Sequence, residues 1–175
     1  MSESILVIGG CRSGKSNHAL ELAEKLPGDN KIYIATCIPH DDEMQDRVKR
    51  HQAERGPHWH TLEVPVNLPE AIVKHGTQAD VLLIDCLTLW VSNLLLENDD
   101  IDSILSDAVQ PLTAALQSIK IPVLIVSNEV GAGIVPENRL ARLFRDIAGH
   151  TNKAVAAACD RVIWMVAGIP VNVKG

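Results

Sequence analysis

Aromatic side chains are scarce in this 175-residue chain, at 3%: Tyr33, Phe144, Trp59, Trp90 and Trp164. Proteins that grip single-stranded nucleic acid stack its bases on aromatic platforms, and five scattered rings do not build many. A surplus of positive charge is missing too. Lys and Arg number 16 against 22 Asp and Glu, a net charge of -6, so no broad basic face is offered to duplex DNA or anionic lipid. No apolar run reaches the roughly 18 residues that a membrane-spanning helix requires. The opening MSESILVIGG lacks the basic region, long apolar stretch and cleavage site of a signal peptide. The four cysteines, Cys11, Cys37, Cys86 and Cys159, form no C-x-x-C pair, which suits free thiols in a reducing compartment better than a disulfide framework or zinc site. The expectation is a cytoplasmic protein with neither a nucleic-acid partner nor membrane insertion.

Hydrophobic residues make up 46% and charged residues 22%, enough apolar material for a sizeable core. Residues 1–175 read as one domain. Short apolar runs at Ser4–Ile8, Lys31–Ala35, Val81–Asp85, Val123–Ser127 and Arg161–Val166 are nearly continuous in Val, Ile and Leu. Such runs predict strands buried on both faces, as in a parallel sheet covered by helices. Helical patterns fall between them, over Lys15–Lys25, Asp41–Arg55, Leu87–Leu96, Ile101–Ile119 and Pro136–Cys159, with a break expected at Gly149. The alternation predicts a three-layer α/β fold with a mostly parallel sheet flanked by helices.

Directly after the first strand stands Gly9-Gly10-Cys11-Arg12-Ser13-Gly14-Lys15-Ser16, a full match to G-x-x-x-x-G-K-[ST] between a strand and a helix. Glycines let the backbone curl until successive N–H groups form an anion-binding nest. The helix that follows turns its positive end towards the same anion. Lys15 is placed for the β- and γ-phosphates, and the Ser16 hydroxyl for Mg²⁺. The apolar strand Val81–Asp85 ends in a carboxylate. Alone, Asp85 reads as a helix cap or turn residue; beside a phosphate loop it reads as the group that organises Mg²⁺.

The segment 41–55 begins with acids and fills with bases, the polarity of a solvated surface helix. Arg47, His51 and Arg55 are nevertheless spaced i, i+4, i+8 and share one helical face. Cationic neighbours favour a neutral imidazole, which is the nucleophilic form, and guanidiniums clamp phosphate oxygens. Both readings stand at this level. His58 and His60 lack a third metal ligand at suitable spacing. Glu129, after an apolar strand, is either a ligand contact at the sheet edge or a loop acid bonded to backbone. A guanine-reading N-K-x-D segment is absent, since Asn152-Lys153 is followed by Ala154-Val155.

Nearly end to end, the chain resembles the bifunctional adenosylcobinamide kinase / adenosylcobinamide-phosphate guanylyltransferases of cobalamin biosynthesis. The resemblance is carried by ILVIGGCRSGKS, YIAT at 33–36, D-x-E-M-x-x-R-x-x-x-H over 41–51, and HWHTLE at 58–63. LLIDCLTLWVSNLL at 82–95, SNEVGAGIVPENRLARLFRDIAGHTN at 127–152 and the terminal VAGIPVNVK complete it. It implies a recombinase-like P-loop core and two reactions. Adenosylcobinamide is phosphorylated from ATP or GTP, and GMP then passes from GTP to the new phosphate through a guanylyl-histidine. His51 matches the nucleophile, and Arg50 stands where some relatives carry a second histidine. GTP contacts are implied at Gly9, Gly10, Cys11, Arg12, Ser13, Gly14, Lys15, Ser16, Ile34, Ala35, Thr36, Gln52, Ala53, Glu54, Arg55, Glu63 and Asp85. A homotrimer is implied as well.

Overall fold

A computed structural model of the chain describes residues 3–39, 46 and 55–175. Its centre is a seven-stranded sheet: β1 (Ser4–Gly9), β2 (Lys31–Ala35), β3 (Trp59–Glu63), β4 (Val81–Asp85), β5 (Val123–Asn128), β6 (Arg161–Val166) and β7 (Ile169–Lys174). The order across the sheet is β3-β2-β4-β5-β1-β6-β7. All neighbours run parallel except β6 and β7, which pair antiparallel at one edge. The helices are α1 (Lys15–Glu24), α2 (Leu68–His75), α3 (Leu87–Glu97), α4 (Ile101–Ile104), α5 (Gln110–Ser118) and α6 (Arg139–Ala158), with a π-helical turn at Leu105–Val109 joining α4 to α5.

The strand sequences explain the layering. Alternate residues of a strand face opposite sides, and here both sides are apolar. Leu6, Ile32, Ile34, Leu82, Ile84 and Ile125 pack with Leu68, Ile72, Trp90, Leu112 and Ile147 from the helices of one layer. Ile5, Val7, Leu83, Leu124 and Val126 pack on the other side with Ala19 and Ala23 of α1. The small alanines let α1 lie close to the sheet, which brings its N-terminus, and the loop before it, down onto the end of β1.

All five strands expected from the apolar runs are present. The two that the runs do not announce, β3 and β7, are the edges of the sheet. Each edge strand is largely exposed, so neither needs a continuous apolar sequence. The helix α2 is likewise additional to the expected set. Two expectations are corrected. α6 starts at Arg139 rather than Pro136, because the Asn138 carboxamide caps it by accepting from the Ala141 N–H at 3.1 Å. It also runs unbroken through Gly149, where a side chain would meet nothing within 4 Å. The helix expected over Asp41–Arg55 lies almost wholly outside the described residues; Asp46 is helical and Arg55 sits in a bend.

Buried polar groups lock the strand ends that matter for the site. Asn93, on α3, donates from its amide to Thr36 O and Pro65 O, each at 2.9 Å. Trp90 donates to Val66 O at 2.6 Å. The Thr36 hydroxyl bridges β2 to the end of β4, donating to Cys86 O at 2.7 Å and accepting from Cys86 N at 2.9 Å. Lys31, only 4% exposed, donates to Ala23 O and Glu24 O at the carboxyl end of α1, where helix carbonyls lack internal partners. Asn93→Ala strands two carbonyls at a cost of about 1–3 kcal/mol each. A lowered urea midpoint at unchanged slope is the expected result; a wild-type midpoint would show that these bonds hold nothing.

Candidate functional site

The carboxyl ends of the parallel strands form one edge, and register places it. Gly9 stands opposite Asn128, Asp85 opposite Val126 and Ala35, and Ala35 opposite Glu63. The phosphate loop, Asp85, the 34–36 segment and Glu63 therefore share one rim, where α/β sheets take their ligands.

The loop has the conformation that its sequence demands. A Cβ on Gly9 would lie 2.5 Å from the Met165 carbonyl of β6 and 2.9 Å from the Ser13 hydroxyl, so only glycine lets β1 turn here. Arg12 (φ 54°) and Gly14 (φ 88°) adopt left-handed backbone, the alternation that turns amides inward into a nest. Lys15 opens α1, is 7% exposed, and donates to Gly10 O at 2.6 Å and more loosely to Ser13 Oγ at 3.4 Å. Cys11, Arg12 and Gly14 are exposed on the rim, and Ser16 is half-buried.

Two strand spacings from the loop strand lies Asp85, on β4. Its Oδ2 accepts from the Tyr33 hydroxyl at 2.9 Å. Burial, reinforced by the Asp85 charge, pushes the Tyr33 phenol far above its ordinary pKa, so it is a permanent donor. The Arg55 guanidinium lies over the Tyr33 ring, 3.7 Å from its centroid, and Trp59 meets that ring edge-on with centroids 6.3 Å apart. Trp59 donates in turn to Glu24 Oε1, at 2.7 Å, on the last turn of α1.

Other expected residues are placed as follows. The Ile34 side chain is fully buried in the core and the Thr36 hydroxyl is spent on Cys86, so this segment presents backbone and Ala35 to the rim. Glu63, on β3, stands four strands from β1, roughly 19 Å at ordinary spacing, and is not brought against the phosphate loop. Glu129 follows β5; its N–H donates to Gly9 O at 3.0 Å and its carboxylate accepts from the Gly131 N–H at 2.5 Å. That is the loop acid bonded to backbone. Arg47, His51, Gln52, Ala53 and Glu54 lie outside the described residues. Among the described residues, no group of three His, Cys, Asp or Glu is arranged to hold a metal.

Residues 5–173 match the family described as cobinamide kinase / cobinamide phosphate guanyltransferase. The chain belongs to this family. Its relatives include the bifunctional adenosylcobalamin biosynthesis proteins CobU of Salmonella typhimurium, 45% identical over 97% of this chain and 99% of the relative, and CobU of Escherichia coli, 43% identical over the same shares. CobP of Pseudomonas aeruginosa, with the same description, is 40% identical over 97% of this chain and 96% of its own length. Among solved structures, the flagellar accessory protein FlaH of Methanocaldococcus jannaschii superposes with a TM-score of 0.54 at 12% identity, over 98% of this chain and 78% of that one. An ATPase of a bacterial type III secretion system superposes at 0.53 and 12% identity, over 97% and 56%. The chain thus has the P-loop NTPase fold.

In this cobinamide kinase family member, several site-supporting residues escape sequence reasoning. Tyr33 sits inside an apolar strand and looks like core. Thr88 accepts from Asn128 N at 2.8 Å, and Asn152 accepts from the Ser127 hydroxyl at 2.6 Å while donating to Asn128 O at 3.1 Å. Together they pin the end of β5 between the loop strand and β4. Asn152 is thereby a structural amide, consistent with its lack of an N-K-x-D context.

The thiols offer a direct check of this geometry. Cys86 is buried, and burial with the adjacent Asp85 charge pushes its pKa up to about 12; burial does the same to Cys159. A thiol reacts as the thiolate, so both stay unreactive below that range. Cys11 is exposed in the phosphate loop. Alkylation of native protein at pH 8 is expected to reach Cys11 at least tenfold faster than Cys86 or Cys159, read by peptide mass mapping. Comparable labelling of Cys86 would mean that the β4–α3 junction opens.

Proposed function

We propose that this chain carries out both reactions of its family: phosphorylation of adenosylcobinamide from ATP or GTP, then transfer of GMP from GTP onto the product. The observation that carries the reading is a complete phosphate loop, folded over Lys15, on the same sheet edge as Asp85. In the first reaction the substrate hydroxyl attacks the γ-phosphorus and the nucleoside diphosphate leaves. In the second, a ring nitrogen of His51 bonds to the α-phosphorus of GTP as the bond to the β-phosphate breaks, releasing pyrophosphate. An oxygen of adenosylcobinamide-phosphate then displaces the histidine, giving adenosylcobinamide-GDP.

The residues have distinct parts. The nest and Lys15 hold polyphosphate and offset the charge that develops on the leaving group. Arg55, a GTP contact on the family resemblance, is a cation for the α-phosphate. Ala35 and the 34–36 backbone, with Gln52, Ala53, Glu54 and Glu63, belong to the nucleoside end of GTP. The distance of Glu63 from the loop supports that assignment. The Ser16 hydroxyl and Asp85 carboxylate are hard oxygen donors of the kind Mg²⁺ takes together with substrate phosphates and water. Such a site needs no cluster of protein ligands. When bound, the ion supplies charge neutralisation at the phosphates.

A homo-oligomer, a trimer on the family resemblance, is part of the reading. Trp164, Val166, Ile169, Val171 and Val173 on β6 and β7 are all 44–64% exposed, an apolar surface suited to burial against another copy. No helix among the described residues is long and apolar enough to cross a membrane, and a cytoplasmic location fits the nucleotide substrates.

Incubation with α-labelled GTP decides the nucleotidyl half. Wild type is expected to retain label on His51, and His51→Ala to retain none and lose transferase activity while keeping some kinase activity. Retained transferase in that variant would remove His51 as nucleophile. Lys15→Ala is expected to lower both activities at least a hundredfold, in line with losing a charge-assisted contact in a reacting site. Full activity would mean that the loop is not the shared phosphate site. A small-molecule kinase of another kind would give no protein-bound label at all.

A further inference from the structure

We propose that Tyr33 is a positioning residue that holds the Asp85 carboxylate and the Arg55 guanidinium in fixed relation, linking the metal-organising side of the site to the segment that carries the nucleophilic histidine. The proposal rests on the two-reaction reading above and concerns a residue to which that reading assigns no role.

Register makes the contact informative. Tyr33 stands opposite Leu83 on β4, and Asp85 lies two residues further along the same face. To reach Asp85 Oδ2 at 2.9 Å, the phenol leans along the strand towards the carboxyl rim rather than standing over its own neighbour. The hydroxyl therefore orients a charged group at the site. With Oδ2 taken by the phenol, Oδ1 is the oxygen left for a metal or for metal-bound water.

The ring has a second use. One face carries the Arg55 guanidinium, its central carbon 3.7 Å from the ring centroid, so the cation rests on a rigid aromatic support. Arg55 follows His51 by four residues in sequence. Trp59 braces the ring edge-on and is tied to Glu24 at the end of α1, the helix whose other end is the phosphate loop. One side chain thus couples the loop helix, the carboxylate and the cation next to the histidine segment. A phenylalanine would keep the stack and lose the bond to Asp85. A leucine would lose both.

Those two substitutions separate the functions. Mn²⁺ binding, read by electron paramagnetic resonance in the presence of a non-hydrolysable GTP analogue, is expected to weaken five- to tenfold in Tyr33→Phe. Labelling of that variant by α-labelled GTP at saturating Mg²⁺ is expected to stay within threefold of wild type. In Tyr33→Leu, labelling is expected to fall at least thirtyfold at saturating Mg²⁺, with cooperative thermal unfolding retained. Wild-type Mn²⁺ affinity in Tyr33→Phe, or equal labelling by the two variants, overturns the proposal. Should Tyr33→Leu fail to fold, the Mn²⁺ affinity of Tyr33→Phe decides alone. Absence of label on wild type would sink the guanylyltransferase reading instead, and the Mn²⁺ comparison would still test the bond between Tyr33 and Asp85.

Discussion

The close approach of β1 to β6 at Gly9 is the constraint on which the site depends. With the Met165 carbonyl 2.5 Å from where a Cβ would be, the strands can pair in register to the end of β1 only if residue 9 has no side chain. A larger residue would push β6 outward or lift the loop off the sheet. Either movement would displace Lys15, because α1 begins immediately after the loop and is seated by Ala19 and Ala23 on the same sheet face. Phosphate binding here is a property of backbone, so the geometry of β1, β6 and α1 counts for more than any single polar side chain.

The rest of the rim is held by the same logic, with buried polar groups in place of close packing. Parallel strands end in backbone groups that no further strand satisfies, and an unsatisfied buried group costs more than a satisfied one returns. Thr36, Thr88, Asn93 and Asn152 meet that demand at the ends of β2, β4 and β5. Each also ties a strand end to a helix or to a neighbouring strand. A rim so pinned can hold Asp85 and the phosphate loop two strands apart without relying on long surface side chains.

Much of this was legible from sequence, for physical reasons that differ by element. The interior strands β1, β2, β4 and β5 are apolar on both faces because both faces are covered, and β6 is apolar although Trp164 and Val166 leave part of one face exposed; either way the run is a local signal. The phosphate loop is legible because a backbone nest needs glycine and left-handed residues at set places. The edge strands β3 and β7 were not visible: exposure removes the apolar run, and β7 contains Pro170, which a central strand would not tolerate. Tyr33 was hidden for a different reason. A tyrosine within KIYIA looks like one more core residue, and only the pairing of β2 with β4 shows that its hydroxyl lies next to Asp85. Contacts between residues 52 apart in sequence leave no trace in local pattern.

An acidic chain can still hold a polyphosphate, because the relevant field is local. Lys15 is buried at the positive end of a helix, where attraction to phosphate is screened far less than at the surface. Arg55 is half-buried, with its guanidinium laid on an aromatic face. Part of the acid stands on exposed residues such as Asp99, Asp100 and Asp102 near the start of α4, where water and salt screen it. The family's two reactions attack the γ-phosphorus of one nucleotide and the α-phosphorus of a second, a GTP, and a cradle made of fixed backbone can hold the polyphosphate of either. The pinned rim suits that use, since amides fixed by backbone geometry hold a phosphate chain whichever of its phosphorus atoms is attacked.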